Sequence, residues 1–302
     1  MQFRSRQKKG NQMTHLIGYS YAPGGLDTNG LLMSVGPTVS WSVFGSFDYK
    51  GSVRQACRNW ADVCDLEFCE VSDPGTSINA GVVGQQRMFL GPIDGSSGQN
   101  TVANATFPGT LPFSGNILYD SDSGDINFLS SSYMLSVTVH EMGHSAMAMQ
   151  HNTFAGSVMN GIGTATPSSY DSSVAAAKYG AAKTFAQKAG VHSLIGEIYS
   201  AYMGTYNQAP DNNGLFFWYR QIASQSQSFL TLCNALVGSG SSSSAFVSNL
   251  YQRVLGRTGS QAEIDAWLAT GKSKAETLDG FARSVEAGNY RANQFSSGLW
   301  FS

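Results

Sequence analysis

The residues best spaced for chemistry are His140, Glu141 and His144. Two histidines four apart on a helix lie one turn above each other, so both imidazoles can reach a single metal ion. Glu141 sits beside the first histidine, on the side where a metal-bound water would lie. Zinc held there lowers the pKa of that water toward ~7. Glu141 can then take the proton and pass it to a leaving amine. A helix with two half-buried histidines would show the same local pattern, so the surrounding residues carry weight. Ser130, Ser131 and Ser132 are helix-capping residues leading into the apolar positions Met134, Leu135 and Val137. His151 follows seven residues after His144, and Met159 eight residues after that.

This order is two helical histidines, a third beyond a turn, and then a turn carrying methionine. It resembles the metzincin metallopeptidases. The eight-residue step from His151 to Met159 resembles their matrixin branch. The resemblance implies a zinc endopeptidase acting on protein or peptide substrates. His140, His144 and His151 would be the zinc ligands, Glu141 the general base and then acid, and Met159 the floor of the site. Two departures stand out. The metzincin pattern puts the third histidine six residues after the second, where this chain has Gln150, and the usual glycine of the turn is replaced by Met147. A continuous helix would carry His151 about 10 Å beyond His144. The chain must therefore leave the helix between Ser145 and Gln150 without a glycine, at some backbone cost. Imidazole is a far better zinc ligand than a neutral amide, so His151 is expected to serve and Gln150 is not.

The elements that must position these groups are legible in part. Val53, Cys57, Trp60 and Cys64 fall at helical spacing, and Leu66 and Phe68 alternate into Val71 as a strand. The run from Asn59 through Val71 resembles the first helix and second strand of matrixins and serralysins. Val39, Trp41 and Val43 suggest one further strand, and Ile78, Ala80 and Val82 another. Residues 100–108 look like the edge strand on which an extended substrate would pair, and Asn116–Asp120 like the last strand. Residues 168–180 read as a helix whose ending, Lys178-Tyr179-Gly180, is similar to the closing helix of the matrixin domain. Matrixins carry a second, structural zinc on histidines of the last two strands. Asn104 and Leu118 occupy those positions, so that site is not expected. Asp120, Asp122 and Asp125 repel one another unless a cation joins them. Calcium, a hard ion with oxygen ligands, is the candidate, against a solvated turn.

The expected fold is α+β: a metzincin-like domain at 14–180, with a mixed, twisted sheet and a zinc-binding helix, then an all-α module at 181–302. Residues 1–13 are basic and read as a flexible leader, with no signal peptide recognised. Within the module, Ile198-Tyr199 through Gly204 recurs as Leu250-Tyr251 through Gly256, giving copies at about 191–237 and 245–290. Between them Gly238-Ser239-Gly240 and four serines read as a flexible linker. The copies resemble a helical repeat of unassigned function found in secreted and surface bacterial proteins, carried here by Tyr251, Leu255, Gly256, Arg257 and Trp267. These aromatic positions are expected in a core, and the module is free to bind another protein or a surface.

With a net charge of -2 the chain shows no electrostatic case for nucleic acid. No apolar run reaches the ~20 residues of a membrane span. Charged residues are 13% of the chain, about half the usual share. With the abundant glycine and serine, this points to an extracellular or surface- or particle-associated protein. Cys57 and Cys64 sit on an apolar helix face, and a Cys64–Cys69 bridge is left open. Two other readings are carried forward. One is a gluzincin-like site with Glu197 as third ligand. The other is a structural or adhesive surface or virion component with a residual metal site.

Overall fold

The computed structural model describes residues 14–22, 49–74, 84–91, 93, 101–109, 114–120 and 131–301. Contacts divide the chain into two units. One holds His15–Thr184, Pro210–Ser226 and Gly298–Ser302 and is built on a sheet. The other holds Phe185–Ala209 and Gln227–Ser297 and is helical.

In the sheet unit the elements follow as β1 (His15–Tyr21), α1 (Tyr49–Ala61), β2 (Leu66–Glu70), β3 (Gln85–Gly91), β4 (Ala103–Ala105), β5 (Ile117–Asp120), α2 (Ser131–Ser145) and α3 (Ser169–Tyr179). The strands lie in the order β2-β1-β3-β5-β4. β1 pairs in parallel with β2 and β3, β3 in parallel with β5, and β4 antiparallel with β5. The sheet is therefore mixed, with its antiparallel strand at one edge. Val53, Ala56 and Trp60 of α1 pack with Leu66, Phe68, Met88, Ile117 and Tyr119 of the sheet, and with Met134, Val137 and Met142 of α2.

Side chains alternate across β1. Ile17, Tyr19 and Tyr21 join that core, while Leu16, Gly18 and Ser20 turn to the other face. There the sheet unit gains a helix from far along the chain, between helices of the other unit. In chain order after α3 come α4 (Phe185–Ala189), α5 (Leu194–Tyr206) and α6 (Asn212–Ala223), and it is α6 that lies on the sheet. Phe216 sits on Gly18, where an added β-carbon would lie 2.8 Å from the ring, so glycine is the residue that lets the helix approach. Asn212 Nδ2 donates to the Glu70 carbonyl at 2.9 Å, and Asn213 Oδ1 accepts from the Ser72 amide at 2.7 Å. The sheet unit thus runs past the expected boundary at 180/181 and includes a helix that the sequence pattern assigns to the helical module.

β1 and β3 were not anticipated as strands. β3 opens with Gln85, Gln86 and Arg87, all buried. Partners explain their burial: Arg87 holds Asp73 through two bonds at 2.7 and 2.8 Å, Gln85 donates to Ser20 Oγ, and Gln86 to Ser145 Oγ. No apolar alternation survives in such a strand. The expected edge strand narrows to Ala103–Ala105. The expected strands through Val39, Trp41 and Val43 and through Ile78, Ala80 and Val82 lie outside the described residues, as does the leader at 1–13. All four cysteines are buried free thiols, so Cys64 and Cys69 are not bridged.

The helical unit comprises α4, α5, α7 (Phe229–Val237), α8 (Ser244–Leu255), α9 (Gln261–Ala269), α10 (Lys274–Ala282) and α11 (Val285–Gln294). Its abundant serines have a local job: Ser193, Ser228, Ser243, Ser260, Ser273 and Ser284 each cap a helix N-terminus. The repeat signature is structural. Gly256 ends α8 in the left-handed region at φ 69°, against the Tyr290 ring. Arg257 lies 4.7 Å over the Tyr251 ring and pairs with Glu263 and Glu286. Trp267 and Tyr251 both pack on Phe281. The serine-rich segment expected to be a flexible linker is held in place: Lys274 donates its amide to the Gly240 carbonyl at 2.8 Å, and Ser242 Oγ donates to Thr277 Oγ1 at 2.8 Å. No described helix is long and apolar enough to cross a membrane.

Candidate metal centre

α2 carries His140 and His144 on one face, and several neighbours fix the helix. Trp60 Nε1 of α1 donates to the Val139 carbonyl at 3.0 Å, Tyr119 of β5 meets Thr138 Oγ1 at 3.1 Å, and Gln86 of β3 reaches Ser145 at 2.7 Å. The helix then ends without glycine. The Ala146 and Met147 amides both donate to the Met142 carbonyl, the Ala148 amide to that of His144, and the Met149 amide to that of Gly143. Ala148 takes the left-handed conformation at φ 60°. So the inserted residue is absorbed, and the glycine-like position falls on Ala148, one past Met147. From α3, Lys178 Nζ and Tyr179 Oη both donate to the Ala146 carbonyl at 2.7 Å, clamping the turn from behind.

The turn swings His151 back over α2. Its Nε2 lies 3.0 Å from His140 Nε2 and 3.2 Å from His144 Nε2, and the ligand atoms of the three histidines all lie within 4.8 Å of one another. Gln150 is exposed and outside this cluster. His140 Nδ1 is 2.7 Å from the Val158 carbonyl, and His144 Nδ1 is 2.7 Å from that of Met149. A carbonyl can only accept, so both Nδ1 atoms carry hydrogen and both Nε2 atoms present lone pairs. Three ring nitrogens converging at such distances repel unless a cation joins them, since a proton on His151 Nε2 can serve only one neighbour. Tetrahedral zinc with Zn–N bonds of ~2.0–2.1 Å needs nitrogens about 3.3 Å apart. The donor set therefore fits zinc, with backbone carbonyls orienting two of the rings.

Burial, opposed by the backbone bonds at Nδ1, lowers the pKa of His140 and His144 and favours the neutral, ligand-ready imidazole. Glu141 is 5% exposed, and burial raises its carboxyl to about 7. Met159 lies buried beneath the helix, where a β-carbon on Gly143 would collide with its sulfur. The methionine turn is itself fastened by Asp171 of α3, a residue the sequence reading did not single out. Its carboxylate accepts from Ser157 Oγ at 2.6 Å, the Val158 amide at 3.0 Å, the Ser168 amide at 2.8 Å and Ser168 Oγ at 2.7 Å. The legible signal was Ser168-x-x-Asp171, a capping box. The reach to Val158, whose carbonyl holds His140, is tertiary.

Over residues 39–172 the chain matches the matrixin family of peptidases. The matched stretch contains the three histidines, Glu141 and Met159. A matrixin domain is a zinc metallopeptidase domain, and the three-histidine cluster agrees with that chemistry. Residues 225–290 match a domain of unknown function (DUF4214), which takes in the second repeat copy. No curated protein matches the chain.

Other candidate residues fall elsewhere. Asn104 and Leu118 are register partners across β4 and β5, but neither is a good zinc ligand. Glu197 belongs to α5 of the helical unit and lies 3.5 Å from Arg283. Asp120 is buried, and one of its carboxylate oxygens accepts from the Ile93 amide at 3.3 Å. Asp122 and Asp125 lie outside the described residues.

Proposed function

We propose that this protein is a zinc-dependent endopeptidase in which His140, His144 and His151 hold the metal and Glu141 is the general base. The observation that carries the reading is the convergence of three imidazole Nε2 atoms beside a buried glutamate. When bound, zinc supplies a Lewis acid that polarises the scissile carbonyl and acidifies water. Glu141, with a carboxyl near neutrality, is suited to accept a proton from the attacking water and return it to the departing amine. Among the described strands β4 pairs only with β5, so its other side can take an extended substrate backbone by strand addition. A chain laid along that edge can continue past the site in both directions, which favours endopeptidase action.

Metal analysis of the purified protein with casein cleavage, alongside Glu141→Gln, tests this. Stoichiometric zinc with cleavage abolished in the variant is expected. Zinc without cleavage by the unaltered protein would favour the other reading, a structural or adhesive component with a residual metal site. Location outside the cell or on a particle surface, and calcium at Asp120, Asp122 and Asp125, belong to the same proposal. The composition supports the first and the spacing of the three acids the second.

A further inference from the structure

β2 lies at the end of the strand order opposite β4, and among the described strands it pairs only with β1. A cavity of about 510 Å³ wraps around this edge, a volume in the ~300–1,000 Å³ range of small-molecule sites. Glu67 and Phe68 both line it, although successive side chains leave opposite faces of a strand. Its other walls come from stretches of the sheet unit far apart in the chain: α1, the start of α6 at Asn212, and residues 298–302, which rejoin this unit after the helical one. Leu299 is buried and seats that last stretch. Trp300 and Phe301 then meet at the cavity with ring centroids 4.8 Å apart and planes at 89°. Together with Tyr19 and Phe68 they give it an aromatic lining.

Charges of both signs share the lining. Arg54 and Glu70 satisfy each other through two bonds at 3.0 and 2.8 Å, with Lys50 a further 3.7 Å contact on Glu70. Arg58 and Glu67 are the other two. Arg58 is exposed and donates to the neutral Gln55 Oε1 at 3.2 and 2.8 Å; among the described residues it forms no ion pair. Glu67 is buried at the cavity wall. Burial pushes the Cys57 thiol up, Arg58 pulls it down and Glu67 pushes it up again, so both charges act within this one cavity. An anion there would meet Glu67 and a cation would meet Arg58. A molecule carrying both charges and no net charge suits the pair.

We propose that this cavity is a second binding site, for a zwitterionic amino acid or short unblocked peptide with an aromatic side chain. Arg58 receives the carboxylate on its guanidinium fork, Glu67 lies on the ammonium side, and the ring enters among Phe68, Trp300 and Phe301. The site stands apart from the peptidase reading, since none of the three clustered histidines lines it.

Calorimetry on the full chain, with phenylalanine and phenylalanyl-phenylalanine as separate probes, tests this; the tighter of the two identifies the source of the ligand. Phenylalaninamide, N-acetylphenylalanine and glycine remove the carboxylate, the ammonium and the ring in turn, and each should bind about tenfold weaker or less than phenylalanine. Arg58→Gln and Trp300→Ala should each weaken binding roughly tenfold at unchanged melting temperature, and Arg58→Lys should weaken it less. His151→Ala should leave it unchanged. No binding at millimolar probe, binding unmoved by Arg58→Gln and Trp300→Ala, or equal binding of the amide and acetyl derivatives overturns the inference, whatever the outcome for peptide cleavage. Binding lost in His151→Ala but kept in the cavity variants places the probe at the metal centre and overturns it too.

Discussion

The base role proposed for Glu141 pulls against its place in the fold. A base poised near neutrality needs the burial that lifts its carboxyl to about 7, and that burial makes its charge a burden on the fold. Its folded pKa is raised above the ordinary 4.5. Its contribution to stability is therefore fully present below pH 4.5 and is lost as pH rises through about 7. Glu141→Gln should keep zinc and lose turnover by about 10³-fold. In the metal-free protein at pH 8 it should raise stability by roughly 1–3 kcal/mol, a gain that shrinks toward pH 5 in denaturant titrations. Equal stability of the two proteins at pH 8 would contradict the burial argument. His151 and Gln150 give a second test. Zinc content and cleavage should collapse in His151→Ala, while Gln150→Ala, at an exposed position outside the cluster, should keep most of both. The opposite result would remove the three-histidine site.

At the scale of the element, the turn after α2 is where this chain departs from the metzincin pattern. Ala148 holds a conformation that costs an L-residue about 1 kcal/mol. Ala148→Gly should relieve that cost and leave or slightly raise the melting temperature. A β-branched residue, as in Ala148→Val, should cost more than the alanine does and weaken zinc retention during dialysis against a mild chelator. If both variants match the unaltered protein in stability and zinc retention, the left-handed turn is not what positions His151. Lys178 and Tyr179 donating to the Ala146 carbonyl explain how the turn persists without glycine: its start is fastened by α3, so the strain does not unwind it.

For the whole molecule, α6 decides where the chain can be cut. Leu215, Phe216 and Tyr219 are buried on a helix that the sheet unit takes from the segment expected to form the helical module. A chain ending at Gly190 loses that helix and uncovers the Leu16 and Gly18 face of β1, so it should be less soluble and melt lower than the full chain. Within the full chain, Phe216→Ala should destabilise the sheet unit by about 3 kcal/mol. A soluble, zinc-loaded peptidase ending at Gly190, with the melting temperature of the full chain, would show that α6 is dispensable.

Neighbours along the chain made the candidate site and much of the local structure legible. The histidine and glutamate spacing, the step to Met159, the helix under Val53, Cys57 and Trp60, the capping box at Ser168 and the repeat glycines are set by neighbours along the chain, and short-range periodicity reports them. What it could not determine depends on partners far away. Gln85, Gln86 and Arg87 form a buried strand because Ser20, Ser145 and Asp73 satisfy them. Gly18 is small because Phe216 arrives from about 200 residues later. The left-handed residue is Ala148 and not Met147 because the hydrogen bonds at the end of α2 and the clamp from α3 choose it. Asp171 reaches the methionine turn only once the turn and α3 have packed. In each case the deciding contact joins groups that only the folded chain brings together, and no pattern along the sequence contains that distance.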